Sequence, residues 1–150
     1  MDNGGRIARS ILDLSILNEG QSSAEALQTT STLARRADEL AYSRFWVAEH
    51  HNMPSVACTS PAVLIAHLAS ITSNMRIGSG GVMLPNHSPL VIAEQFAMLE
   101  SLHPARIDLG IGRAPGTDQR TAAVLRRTSD SFEADDFPRD LLDLMGLLGQ

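Results

Sequence analysis

Four short apolar runs, recurring at a nearly constant interval, constrain this chain more than any other feature. They occupy residues 11–14 (ILDL), 45–48 (FWVA), 75–79 (MRIGS) and 107–111 (IDLGI). Their first residues are spaced by 34, 30 and 32 positions, and one strand–helix–strand step takes about 30 residues. The segments between them read as helices. The first, over about 24–41, opens with the capping box Ser22-x-x-Glu25, in which each residue covers a free backbone N–H of the other's end of the turn. Leu27, Thr30, Ala34, Ala37 and Ala41 then form one mostly apolar stripe. Ser60-Pro61 and Ser88-Pro89 announce the second and third helices, because proline fits a first helical position whose N–H has no intrahelical partner. A fourth, weaker helix covers about 118–127. Crossovers of this length imply parallel strands, which are normally buried on both faces.

Two architectures satisfy such a pattern: a doubly wound sheet or a (β/α)8 barrel. The doubly wound fold carries a glycine-rich phosphate turn after its first strand, and Ser15-Ile16-Leu17-Asn18-Glu19-Gly20 is not one. The unusual residues follow strands two, three and four, which suits a barrel whose chemistry is collected from several strand ends. A barrel takes about 250 residues, whereas this chain has 150. The expectation is therefore one unit, residues 1–150, holding the first four to five βα repeats of an α/β TIM barrel. Strands are expected near 9–15, 44–48, 75–80 and 106–112, an acidic linker over 128–140 and a terminal helix over 138–149. Leu141, Leu142, Leu144, Met145, Leu147 and Leu148 cover more than one face of that helix, so it calls for a partner surface.

Composition removes several function classes. Lys plus Arg is 12 against 17 Asp plus Glu, a formal charge of −5, where a nucleic-acid-binding domain shows a basic excess. A single cysteine excludes an internal disulfide framework and a cysteine-rich zinc module. No apolar run is long enough to span a membrane, and residues 1–10 hold no hydrophobic signal core. A soluble, cytoplasmic protein is expected.

The candidate chemistry sits after three of the strands. Glu49-His50-His51-Asn52 follows the second. Neighbouring side chains on an extended segment point to opposite sides, so His50 and His51 are not expected to share a metal, and one of them faces the pocket. A metal hydrolase built on either lacks further ligands at convincing spacing, and no metal centre is expected. Gly78-Ser79-Gly80-Gly81 closes the third strand; glycine there marks either an ordinary turn or a backbone approached closely by a ligand. Arg113, in GIGRAPG after the fourth strand, could reach a phosphate or a ring carbonyl, or pair with Asp118. Cys58 reads as a small filler, His67 as a packed or half-exposed side chain, and His87 and His103 as helix-flanking caps.

The strings FWVAEHHNMP (residues 45–54), RIGSGGVMLPNHSPLVIAEQF (76–96) and RIDLGIGRAPGTD (106–118) resemble the bacterial luciferase-like, flavin-dependent monooxygenases over about residues 11–140. The resemblance implies FMN bound at the carboxyl end of the strands. His50 matches the family's catalytic histidine. Gly80-Gly81, with Ser79 before it, matches the strand end that bears a non-proline cis peptide against the flavin ring, and Arg113 matches a flavin-contacting arginine. Asp13, Ser15 and Asn52 fall where relatives line the substrate pocket. The implied reaction is oxygen insertion into a small organic substrate, using O2 and reduced FMN supplied by a separate flavin reductase. The alternatives are a non-catalytic half-barrel that pairs with another chain or with itself through its open edges, and a deazaflavin-dependent reductase of the same superfamily. Departures from the family are Ile16 for a usual proline, and Ala41 and Ala105 for usual glycines.

Overall fold

A computed structural model describes residues 7–126 and 136–149. Four strands, β1 (Ser10–Asp13), β2 (Arg44–Val47), β3 (Arg76–Met83) and β4 (Ile107–Gly112), pair in parallel in the order β1-β2-β3-β4. Between them run α1 (Ser23–Glu39), α2 (Pro61–Ser70) and α3 (Pro89–Leu102); α4 (Gln119–Arg126) and α5 (Asp136–Leu147) follow β4. The repeat expected from the sequence is thus the repeat that forms. Both halves of the Ser22/Glu25 capping box are made, and Pro61 and Pro89 open their helices. Among the described residues, no helix is long and apolar enough to cross a membrane.

Alternation along the strands sorts residues onto two faces. Phe45 and Val47 of β2 and Ile77 of β3 are fully buried in one cluster with Ile65, Leu68, Ile92 and Leu99 from α2 and α3. Most of the stripe on α1 packs as expected, with Thr30, Ala34 and Ala37 buried, but the helix ends at Glu39 and Ala41 lies exposed beyond it. The opposite face carries Leu12, Trp46 and Asp108. Burial on both faces, expected for parallel strands, is not what is seen: Leu12 is 56% exposed, because no second layer covers this face among the described residues.

Two boundaries differ from expectation. β3 runs on to Met83, since a register shift between Ser79 and Val82 lets Val82 and Met83 pair with Ile111 and Gly112. α5 begins at Asp136, so residues 136–140 are helical and not linker; the rest of that linker, 128–135, lies outside the described residues. On α5, Leu144 is buried while Leu142, Met145 and Leu147 are exposed, as apolar positions on more than one face require.

Candidate active site

The loops after β2, β3 and β4 meet at the carboxyl end of the sheet. The Glu49 amide donates to the Gly81 carbonyl at 3.3 Å, and the His51 amide to the Gly116 carbonyl at 3.2 Å. The Thr117 hydroxyl donates to the His51 carbonyl at 2.7 Å, and the Asn86 side-chain amide to the Pro115 carbonyl at 2.7 Å. Three loops far apart in sequence thereby become one rim, as the barrel pattern requires.

The floor of that rim is glycine. A Cβ on Gly80 would stand 2.9 Å from Trp46 and 3.1 Å from Leu12, so Gly80 lies on the uncovered face of the sheet. A Cβ on Gly81 would stand 2.9 Å from the Gly110 oxygen and the Gly112 nitrogen. The Gly80–Gly81 peptide is cis. Ser79 is completely buried, and its hydroxyl donates to the Gly110 carbonyl and accepts from the Gly110 amide. Its hydroxyl is therefore committed to joining β3 to β4; of the two glycines, Gly80 is half-buried on the uncovered face, while Gly81 is buried against the β4 backbone.

His50 stands at this rim with its backbone amide bonded to the Cys58 carbonyl at 3.1 Å. Its Nδ1 is buried with no hydrogen-bond partner, and a buried polar atom left in that state calls for a ligand or water. Arg113 is exposed. Asp118 does not pair with it: that carboxylate accepts from the amides of Arg120 and Thr121 and from the Thr121 hydroxyl.

The remaining candidates turn elsewhere. Asp13 accepts from the Thr30 hydroxyl at 2.6 Å and from the Ser15 amide at 3.1 Å, and the buried Ser15 hydroxyl bonds Thr30 at 2.9 Å. Asp13 Oδ2 and the Ser15 hydroxyl are thus spent on Thr30 of α1, and Asp13 Oδ1 on the Ser15 amide. Asn52 donates to the Thr121 hydroxyl at 2.9 Å, bracing the β2 loop against α4.

Sequence reasoning missed the most heavily bonded group at the rim. Glu49 is fully buried, and its carboxylate accepts from His51 Nε2 at 2.6 Å, His87 Nε2 at 2.7 Å, the Met83 amide at 2.9 Å and the Asn86 side chain at 3.4 Å. Burial alone would push this carboxyl up, but hydrogen bonds from His87, His51 and the Met83 amide outweigh it and hold the pKa below its usual value. His87 does cap a short helical turn, Leu84–Asn86, with its backbone amide, but its ring serves Glu49. The pairing of Glu49 with His51, two residues apart, was legible as same-side placement on an extended segment; His87 gave no such signal. Ligand atoms of Glu49, His51 and His87 lie within 4.8 Å of one another, so this donor set could hold a divalent cation. Cys58 is buried, and burial, with the nearby Glu49 and Asp13 charges, pushes its thiol up to about 12, consistent with a filler role.

Comparison with known proteins fixes the lineage. The family model described as luciferase-like monooxygenase matches residues 10–143. The chain belongs to the luciferase-like monooxygenase family. It is 55% identical over 139 residues to a luciferase-like monooxygenase of Escherichia coli K12, covering 93% of this chain and 41% of that relative. The crystal structure of apo-MsnO8 superposes with a TM-score of 0.90 at 44% identity, covering 95% of this chain and 43% of the other. The oxygenating constituent of 3,6-diketocamphane monooxygenase from Pseudomonas putida, solved in complex with FMN, shares the fold at a TM-score of 0.81 and 19% identity. It is covered over 40% of its length, and this chain over 95%. This luciferase-like chain thus has the α/β fold of part of a TIM barrel and spans about two fifths of the relatives it matches.

Proposed function

We propose that this chain forms the flavin-binding rim of an FMN-dependent monooxygenase acting on a small organic substrate. The observation that carries the reading is the pairing of a side-chain-free floor with an unsatisfied imidazole. Gly80 presents no side chain beside Leu12 and Trp46 on the uncovered face of the sheet, where a Cβ would crowd both, and His50, in the loop joined to this strand end through the Glu49 amide, has a buried Nδ1 without a partner. A planar tricyclic ring fits the first, and a proton-bearing or proton-accepting ligand atom satisfies the second. Arg113, exposed after β4, is the cation for the FMN phosphate or a ring oxygen. The diketocamphane relative's complex with FMN makes FMN the first choice of flavin.

When bound, reduced FMN from a separate reductase supplies the electrons that let O2 oxidise the substrate. The protein's own part is to orient and to move a proton. Gly80 would let the ring approach backbone on the face that carries Leu12 and Trp46, and His50 would donate or accept a proton at Nδ1. The reading places the protein in the cytoplasm, where a reductase can supply reduced flavin.

The uncovered sheet face and the outer edges of β1 and β4 are completed by further barrel strands or a second copy, since open edges pair with other chains. Sedimentation is expected to show concentration-dependent association of the isolated 150 residues.

Titration of FMN, riboflavin and a deazaflavin into the chain, read by flavin fluorescence, tests the reading. Saturable quenching of FMN is expected, and Arg113→Gln should weaken FMN at least tenfold; riboflavin is left nearly unchanged if Arg113 holds the phosphate and weakens alike if it holds a ring oxygen. Preference for the deazaflavin would favour the reductase alternative. No binding of any flavin would leave the non-catalytic half-barrel.

A further inference from the structure

We propose that Glu49 is the positioning residue of this site: as a carboxylate it locks the loop that carries His50 against the strand end that carries Gly80 and Gly81. The inference rests on the flavin reading for its catalytic consequence, while its structural content stands on geometry alone. Glu49 holds both segments at once. Its backbone amide donates to the Gly81 carbonyl, and its side chain takes the Met83 amide two residues further along β3. Its other oxygen receives His51 Nε2 from its own loop, and His87 Nε2 and the Asn86 amide from the segment after β3. Asn86 in turn bonds Pro115 in the loop after β4, so a single buried side chain ties all three loops.

The chemistry demands an anion. Every group that meets the Glu49 side chain is a donor, and only a carboxylate is acceptor on both oxygens. Glutamine has the same shape but would turn an N–H toward one of those donors. A buried site with facing donors resolves this by losing a hydrogen bond or by switching a histidine tautomer. His50 lies next in sequence, on the opposite side of the extended segment, so a shift of Glu49 moves His50 directly. A cation held by Glu49, His51 and His87 is the competing use of the cluster. The hydrogen-bond reading is favoured because both imidazoles approach one oxygen at donor distance, and a ligating histidine usually has a partner on its other ring nitrogen, which neither shows among the described residues.

The test compares the whole chain with Glu49→Gln by long-range proton–nitrogen NMR of the histidine rings, amide hydrogen exchange and FMN titration. In the wild type both His51 and His87 should carry the proton on Nε2. In Glu49→Gln at least one should lose that state, and exchange of the Glu49 and His50 amides should quicken at least tenfold. FMN affinity should fall at least fivefold. Unchanged tautomers and unchanged protection in a folded variant would overturn the proposal. Stoichiometric zinc binding with loss of both Nε2–H signals would overturn it in favour of a metal site. If the wild type binds no flavin, the functional reading fails and the NMR and exchange results still decide the lock. Should Glu49→Gln not fold, His87→Phe keeps a ring, removes one donor and should quicken exchange of the same two amides by a smaller factor; no change there would also overturn it.

Discussion

Arg76 grips Asp108 across the β3–β4 pair, with Nε 2.8 Å from Oδ1. The same carboxylate accepts from Arg44 Nε at 3.1 Å and Trp46 Nε1 at 3.0 Å, so one side chain ties three strands on the uncovered face. Replacing Asp108 by alanine leaves three donor side chains without this acceptor. Hydrogen bonds to charged groups contribute about 1.5–3 kcal/mol. Both guanidinium groups are more than a third exposed, which lowers the figure. A loss of about 1–2 kcal/mol in urea unfolding is expected, and a change below about 0.5 kcal/mol would show the cluster to be idle.

Acid should destabilise the fold through two carboxylates. Burial raises both, yet hydrogen bonds from His87, His51 and Met83 to Glu49, and from Arg76 and Trp46 to Asp108, hold each below its ordinary value. Unfolded, these groups titrate near about 4.3 and about 3.9. Between those values and the lower native ones the unfolded chain binds protons that the native chain does not. Their contribution is therefore complete above about pH 5 and is lost as pH falls through the native values. The urea midpoint should drop below pH 5 in the wild type and drop less in a Glu49→Gln/Asp108→Asn variant. Parallel pH profiles for the two proteins would refute this.

Two alanines sit in left-handed backbone. Ala41, just past α1, has φ 58°, and Ala105, before β4, has φ 60°. A Cβ in that region costs about 1–2 kcal/mol, while glycine gives part of this back through a more flexible unfolded chain. Ala41→Gly and Ala105→Gly should each raise stability by about 0.5–1 kcal/mol, measured as an upward shift in melting temperature. A downward shift for both would be incompatible with the backbone described.

Two glycines should respond to alanine in opposite ways. At Gly81 the new Cβ meets backbone atoms of Gly110, Ile111 and Gly112 at 2.9 Å, none of which can rotate away, so Gly81→Ala should cost at least about 1–3 kcal/mol and abolish FMN quenching. At Gly146, on the exposed face of α5, nothing lies within 4 Å, and Gly146→Ala should stabilise by about 0.5–1 kcal/mol. Equal effects in thermal unfolding would contradict the close approach of β3 to β4.

The strand–helix repeat, the caps at Ser22, Pro61 and Pro89 and the apolar stripe of α1 were legible in the sequence because each depends on neighbours within one turn or one strand. The left-handed positions of Ala41 and Ala105 were legible only through the family's glycines at those places. The sequence also marked His50, Gly80, Gly81 and Arg113 as belonging after successive strands, and parallel topology then brings their loops to one rim. What the tertiary structure alone decided is where polar atoms go. Ser79 is spent on Gly110, Asp13 and Ser15 on Thr30, and His87 on a carboxylate 38 residues earlier. Hydrogen-bond partners at such separations are set by how strands stack and where loops cross, and periodicity along one chain carries no information about either.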